Sequence, residues 1–470
     1  MGRSKKLLIL LAVLVAVCAA TIVLTQYEEK QEQIKAADAV VLELPADSVT
    51  AVSWEYESGD GLAFTKTENG WQYDEDAAFP VSETKIAQLL SHFEHFGVTF
   101  IIEDVEDLGQ YGLDKPECTL HLTTAERTYD LKLGDFSKMD SQRYVDLGDG
   151  NVYLVADDPM DFVDSALSSM ILHDDTPGFE TVKDITFSGR ENYTVVRDDE
   201  STASYNADDI YFTDLGGKTV PLDTAAVRSY LNTVTGLDLR DYVTYNATEE
   251  DLQACGLDAP LLSVTVRYSE TDENGEARSD TCVFHLGENA AEKAAAEEAR
   301  NAGETDIPAV TKYVRIGDSP IIYTLSDTDF AVLEAAGYND LRHKEVFPGD
   351  FEDVTQLDIT LEGAEHSLVR SVEEEKTLWH YGDTEISPDA LRSALEALSA
   401  DSFTDEQPTG VEELALTLRL ENEAFPTVAL GFFRYDGTHC LAVVDGEPTA
   451  LVPRSDVIAL VEAIQSIVLN

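Results

Sequence analysis

The feature that most restricts the fold of this 470-residue chain is an internal repeat, since a segment that recurs marks a unit folding the same way each time. DVEDLGQYGLDKP, Asp104 to Pro116, returns 144 residues later as TEEDLQACGLDAP, Thr248 to Pro260. Asp107, Leu108, Gly112, Leu113, Asp114 and Pro116 meet identical residues at Asp251, Leu252, Gly256, Leu257, Asp258 and Pro260. The segment reads as a helical corner. Asp104 or Thr248 is placed to accept the N–H groups that open a short helix, with Asp107 or Asp251 near its positive end. Gly112 or Gly256 ends it in the left-handed conformation, Leu113 or Leu257 folds back as the apolar cap contact, and Pro116 or Pro260 sends the chain out extended. Asp114 and Asp258 are read as acceptors of backbone N–H groups before the proline, ahead of general acid or base work.

A longer helix precedes the corner and occurs three times. Ser82, Ile86, Leu89, Leu90 and Phe93 correspond to Asp223, Val227, Tyr230, Leu231 and Val234, and to Ser387, Leu391, Ala394, Leu395 and Leu398. Each set is an N-cap followed by a core stripe at helical spacing. Short period-two runs flank each helix, with turn signals at Asn69-Gly70 and Asp149-Gly150, and terminal helices are predicted over 161–172, 327–336 and 455–468. The expected fold class is α+β: an N-terminal transmembrane helix followed by three tandem modules of antiparallel sheet plus helices. The boundaries are 42–175, 178–346 with an Ala/Glu-rich insert at 288–311, and a divergent third module at 350–470. The third lacks the GLD-x-P corner. The insert is read as a solvated helical arm or a loop.

Arg3, Lys5 and Lys6 precede an uncharged stretch, Leu7 to Thr25, long enough at 1.5 Å per residue to cross most of a ~30 Å hydrocarbon layer. The next base is Lys30. Residues 1–6 are therefore expected as a cytoplasmic tail, 7–26 as a membrane anchor, 27–41 as a linker and the rest as extracytoplasmic. A cleaved signal peptide shares the charged start, but the length of the stretch favours an anchor. Bulky Val17 before Cys18 argues against a lipoprotein site.

The 32 Lys and Arg face 91 Asp and Glu, a net charge of −59, which excludes nucleic acid or an anionic lipid surface as the main partner. Five cysteines lack C-x-x-C spacing, so buried structural thiols are expected, with Cys255 and Cys282 able to meet only if their strands are neighbours. His92 and His95, three apart on the first long helix, are the metal-ligand candidates, although half-buried histidines flanking a core stripe are the more ordinary reading. Leu215 to Thr219, LGGKT, reads as a turn because Phe212 stands where a phosphate loop needs glycine. The pairs Asp157-Asp158, Asp174-Asp175, Asp198-Asp199-Glu200 and Asp208-Asp209 lack calcium-loop spacing and are expected to be solvated, with weak, non-specific cation association at most. No G-x-S-x-G, H-E-x-x-H or S-x-x-K stands at a recognisable structural position, so neither a catalytic residue nor a cofactor is assigned.

With its anchor, its strand-helix-corner order and the repeated GLD-x-P followed by strands ending in Leu133-Gly134-Asp135, the chain resembles the bacterial membrane-anchored family known as domain of unknown function 4340. The resemblance runs from about Leu42 to the end. It implies an envelope protein of a kind often associated with ABC transport systems for gliding motility or multidrug export, with no established catalytic residues. The expected function is thus a non-enzymatic extracytoplasmic accessory or binding protein, with a transporter as candidate partner. The alternative is an envelope hydrolase or carbohydrate-active enzyme with a cleft between modules one and two, and a calcium-responsive module comes third.

Overall fold

The computed structural model describes residues 33–163, 166–271, 275–373 and 376–469. The predicted tail and anchor, residues 1–26, and Cys18 lie outside them. Among the described residues no helix is long and apolar enough to cross a membrane. The chain divides into two compact units, one running to His173 together with Arg240–Asn246, the other Asp174–Leu239 with Ala247–Asn470. The first carries the first module and the segment 240–246 of the second, and the second unit carries the rest.

In the first module β1 (Gln33–Leu42), β2 (Val49–Tyr56), β3 (Gly61–Thr67) and β4 (Gly70–Tyr73) precede helix α1 (Glu83–Ser91). Then come β5 (Phe96–Glu103), β6 (Cys118–Thr124), β7 (Thr128–Ser137), β8 (Gln142–Asp146), β9 (Val152–Val155) and α2 (Met160–Val163). The second module has β10 (Thr181–Ser188), β11 (Asn192–Arg197), β12 (Tyr211–Leu215), β13 (Lys218–Pro221), α3 (Thr224–Thr235) and β14 (Tyr242–Thr244). It continues through α4 (Glu249–Ala254), β15 (Leu262–Thr271), β16 (Ala277–Glu288), α5 (Ala290–Ala302), β17 (Lys312–Ile316), β18 (Ile322–Leu325), α6 (Asp327–Glu334) and α7 (Tyr338–Leu341). The third comprises β19 (Val354–Leu361), β20 (Ala364–Glu373), β21 (Lys376–Tyr381), β22 (Thr384–Ile386), α8 (Asp389–Glu396) and β23 (Ser402–Phe403). It ends with β24 (Glu412–Leu420), β25 (Thr427–Arg434), β26 (His439–Val444), β27 (Glu447–Pro453) and α9 (Arg454–Val468).

These strands form three antiparallel sheets of nine strands each, so the protein is α+β overall. The first sheet runs β4-β3-β2-β6-β7-β8-β9-β5-β1 and the third β22-β21-β20-β19-β24-β25-β26-β27-β23; in the second, β13-β12-β11-β10-β15-β16-β17-β18 stand in the same order. The register agrees to the residue. Pairing slips by one between Val49 and Ala51, between Val182 and Asp184, and between Val354 and Gln356, placing a β-bulge at Thr50, Lys183 and Thr355. Thr50 and Thr355 each donate their hydroxyl to the carbonyl of the matching partner residue, Thr123 or Arg419. A bulge kinks and twists a strand at a fixed place. Its threefold recurrence shows that the third module keeps the sheet of the other two while lacking their GLD-x-P corner.

The core forms as the sequence periodicities require. Alternate residues Val52 and Trp54, Ile185 and Phe187, and Leu357 and Ile359 are buried on the helix-covered face. Above them α1 buries Ile86, Leu89 and Leu90, α3 buries Val227, Tyr230, Leu231 and Val234, and α8 buries Leu391 and Leu395. Ser82 and Asp223 cap their helices as expected. Ser387 does not: α8 starts one residue later with Pro388 as N-cap, in keeping with the preference of proline for a helix start.

Two further expectations change and a third gains a detail. Residues 33–41, placed in the linker 27–41, form β1 together with Leu42, and β1 covers the edge of β5 that would otherwise expose unpaired backbone groups. The helix predicted over 161–172 is two short turns, because Ile171 must be extended to bridge Val81 while Ser82 N–H donates to Met170. The insert 288–311 is a helix, α5, followed by a loop, and most of its side chains are exposed; α5 is capped by Asn289 and closed by Gly303 (φ 74°), and it is not a free arm, because it buries Ala296 and Ala299.

Candidate functional site

The repeated corner is built as its sequence implies, and its glycines explain why it pairs with Leu-Gly-Asp. Gly112 (φ 68°) and Gly256 (φ 66°) are left-handed, and Leu113 and Leu257 return their N–H groups to Leu108 and Leu252 while burying their side chains. A Cβ on Gly134 would lie 2.2 Å from the Tyr111 carbonyl oxygen, and one on Gly287 2.3 Å from that of Cys255. Each corner therefore rests directly on sheet backbone. The caps differ: Thr248 and Asp251 form a reciprocal capping box, whereas Asp104 sits outside the first turn (φ 57°) and Asp107 caps it by accepting from Gly109. Asp114 and Asp258 are exposed and accept no hydrogen bond among the described residues, so their expected bonds before the proline do not form. The third module places a different glycine at the same spot. A Cβ on Gly410 would lie 1.8 Å from the Arg434 carbonyl oxygen, and Arg434 occupies the register position of Asp135 and Glu288, which crowd Gly112 and Gly256.

The same corner carries a buried charge clamp that pattern reading missed. Arg143 on β8 gives its Nε to both oxygens of Asp158, at 2.7 and 2.8 Å, and one Nη to Glu117 at 2.7 Å. At the matching register position on β17, Lys312 pairs with Glu288, which also holds Lys293 at 2.9 Å. In the third module the acid is Glu413, the counterpart of Glu117, with Arg434 at 2.6 Å and Arg454 at 3.1 Å. Burial alone would raise the Glu413 pKa; the two guanidinium groups outweigh it and hold the carboxyl below its usual range.

His92 ends α1 and stacks on Phe162 with ring centroids 3.5 Å apart, while exposed His95 follows outside the helix. The helical spacing that related them is absent, and neither belongs to a group of converging ligand atoms among the described residues. LGGKT is the turn between β12 and β13, with Gly216 and Gly217 at φ 63° and 87°. Cys118, Cys255, Cys282 and Cys440 are buried without a disulfide, and burial pushes Cys282 up to about 11 and Cys440 to about 12. The acidic pairs are not merely solvated: Asp158 is in the clamp, Asp174 accepts from Ser319 and Tyr323, and Asp209 is buried.

Asp209 leads to the one group of converging metal-ligand atoms among the described residues: Asp223, His343 and Glu345, whose ligand atoms lie within 4.8 Å of one another. Asp209, its side chain 1% exposed, accepts from Ser204 Oγ at 2.6 Å and lies 2.8 Å from His343 Nε2. His343 follows α7 in the segment leading to the third module, where Glu345 bridges Ser399. Asp223 is fixed as the N-cap of α3, accepting from Ala225 and Ala226. The other ring nitrogen, Nδ1, stands 3.8 Å from Glu345 Oε2. Burial would lower the His343 pKa, but the Asp209 hydrogen bond and the charges of Asp209, Asp223 and Glu345 raise it. All four side chains border an open cleft of about 1010 Å³, with Arg228, Asn206 and Asn232 also on its walls. A histidine positioned by a buried carboxylate and facing two others can hold a cation or a proton.

Sheet order, bulge and clamp define a class: a tandem-repeat α+β protein in which one unit has been copied and its recurring polar residues hold the copies' corners. The model of the family described as "Domain of unknown function (DUF4340)" matches residues 71–260 and again 216–417. The chain belongs to that family, as tandem modules. No curated protein and no solved structure matches it.

Proposed function

We propose that this chain is a non-enzymatic, extracytoplasmic accessory protein, anchored in the membrane by residues 7–26, whose three modules present repeated surfaces to a membrane partner, an ABC transport system being the partner the family resemblance favours. The observation that carries this reading is that each module spends charged residues on its own architecture, in Arg143–Asp158, Lys312–Glu288 and Glu413–Arg434, with Arg143 and Lys312 at matching register positions. A copied unit whose recurring polar groups serve its own architecture suits a scaffold that multiplies surface area. The strongly acidic balance, −59, supports an exported protein kept soluble and apart from other anions.

The test is crosslinking in the native membrane. Full-length protein carrying photo-reactive groups on exposed sheet residues such as Val196 and Val369 should capture subunits of a membrane transporter in repeated preparations. Reproducible recovery of the protein alone would overturn the reading.

A further inference from the structure

We propose that Asp223, His343 and Glu345 form a divalent-cation site at the junction of the second and third modules, with Zn²⁺ the cation best suited to it. One imidazole and two carboxylates are a donor set typical of zinc, with ligand distances near 2.0–2.2 Å. An ion seated among such donors holds neighbouring ligand atoms roughly 3.4 Å apart in tetrahedral geometry. The 3.8 Å between His343 Nδ1 and Glu345 Oε2 is too long for a hydrogen bond and close to that span.

The surrounding residues supply what a bare cluster lacks. Asp209 is buried, anchored by Ser204, and takes the Nε2 side of His343, which leaves Nδ1 on the side of Glu345. A carboxylate on the far nitrogen of a ligating histidine fixes ring orientation and strengthens the donor. Asp223 is likewise immobilised, since the backbone N–H groups of Ala225 and Ala226 engage one carboxylate oxygen and leave the other free to ligate. The adjoining cleft of about 1010 Å³ gives an ion and its remaining water ligand a way in. Because the three donors come from α3 of the second module and from the strap that pairs with Ser399 of the third, a bound ion would tie the strap to the helix.

The competing arrangement is a protonated histidine held among carboxylates with no ion. The two are separated by titrating chelator-stripped, detergent-solubilised full-length protein with Zn²⁺ in an excess of Ca²⁺, which occupies weak carboxylate sites, while the visible spectrum of the Co²⁺ form reports nitrogen ligation. The expected result is one equivalent bound, a Co²⁺ spectrum that His343→Ala abolishes, and affinity reduced at least about tenfold in Glu345→Gln and in Asp223→Asn. The last variant keeps a good N-cap, and the first of the pair alters an exposed side chain, so both remain folded if His343→Ala does not. Absence of a one-equivalent site, or unchanged affinity in both carboxamide variants, would overturn the proposal. Neither outcome bears on the transporter crosslinking, which does not depend on the ion.

Discussion

Glu413 and Gly134 show how much one residue can be asked to do in a repeated sheet. Glu413 is held below its usual range by Arg454 and Arg434, so its ion pairs contribute stability that is fully present above the unfolded glutamate value of about 4.3 and is lost as pH falls through the lower folded value. Glu413→Gln should therefore lower stability at neutral pH and flatten the decline below about pH 4.3, as read by urea midpoints across an acid series. A wild-type decline confined to alkaline pH would be the wrong sign. Gly134→Ala drives a methyl onto the Tyr111 carbonyl and the Leu113 side chain, and should destabilise the first module by about 2–3 kcal/mol in chemical denaturation. Gly178→Ala, where a Cβ meets nothing within 4 Å and the backbone is not left-handed, controls for the loss of glycine alone. Gly112 was legible from its place in a repeated motif. Gly134 was legible only as part of Leu-Gly-Asp, and its reason, contact with the corner 22 residues earlier, was not.

At the scale of elements, local chemistry decides existence and tertiary pairing decides extent. Thr248 with Asp251 closes a full capping box, so Thr248→Ala should cost about 1 kcal/mol and raise amide exchange in α4, measurable by hydrogen exchange. The Ala/Glu-rich insert is the largely exposed helix and loop that its composition suits, yet its helix is not free. It packs because Ala296 and Ala299 form a narrow small-residue stripe that no charge count reveals. Ala296→Asp should unpack α5 and open the segment 288–311 to limited proteolysis while the sheet strands stay protected; an unaltered digest would show that the buried face does not hold the helix. The failed helix over 161–172 has the opposite cause, since its sequence permits a helix but the bridge between Val81 and Ile171 takes the chain extended. Similarly, the ten residues of β1, QIKAADAVVL, carry no regular period-two pattern, and they form a strand along the edge that β5 offers.

For the whole molecule, a net charge of −59 makes self-repulsion a general term opposing compaction. Shortening the Debye length from about 30 Å at 0.01 M salt to about 8 Å at 0.15 M should raise the melting temperature by a few degrees, followed by circular dichroism. A fall with added salt would mean that the clamps outweigh the repulsion. The proposed anchor makes a second demand at this scale: the full-length chain should stay with membranes through alkaline carbonate extraction and be digested by protease added to right-side-out vesicles. By itself the sequence determined the repeat, the α+β class, the two GLD-x-P corners, the core stripes of all three helices and the acidity, because each is set by spacing or composition within a few turns of chain. Only the tertiary structure decided that the third module keeps the sheet order and bulge of the others, with Gly410 and Glu413 standing where the corner would be by position in the sheet and not by motif. Likewise, Asp223, His343 and Glu345, separated by up to 122 residues, the two carboxylates unremarkable among 91 acids, meet only because one linker strand crosses the start of one helix.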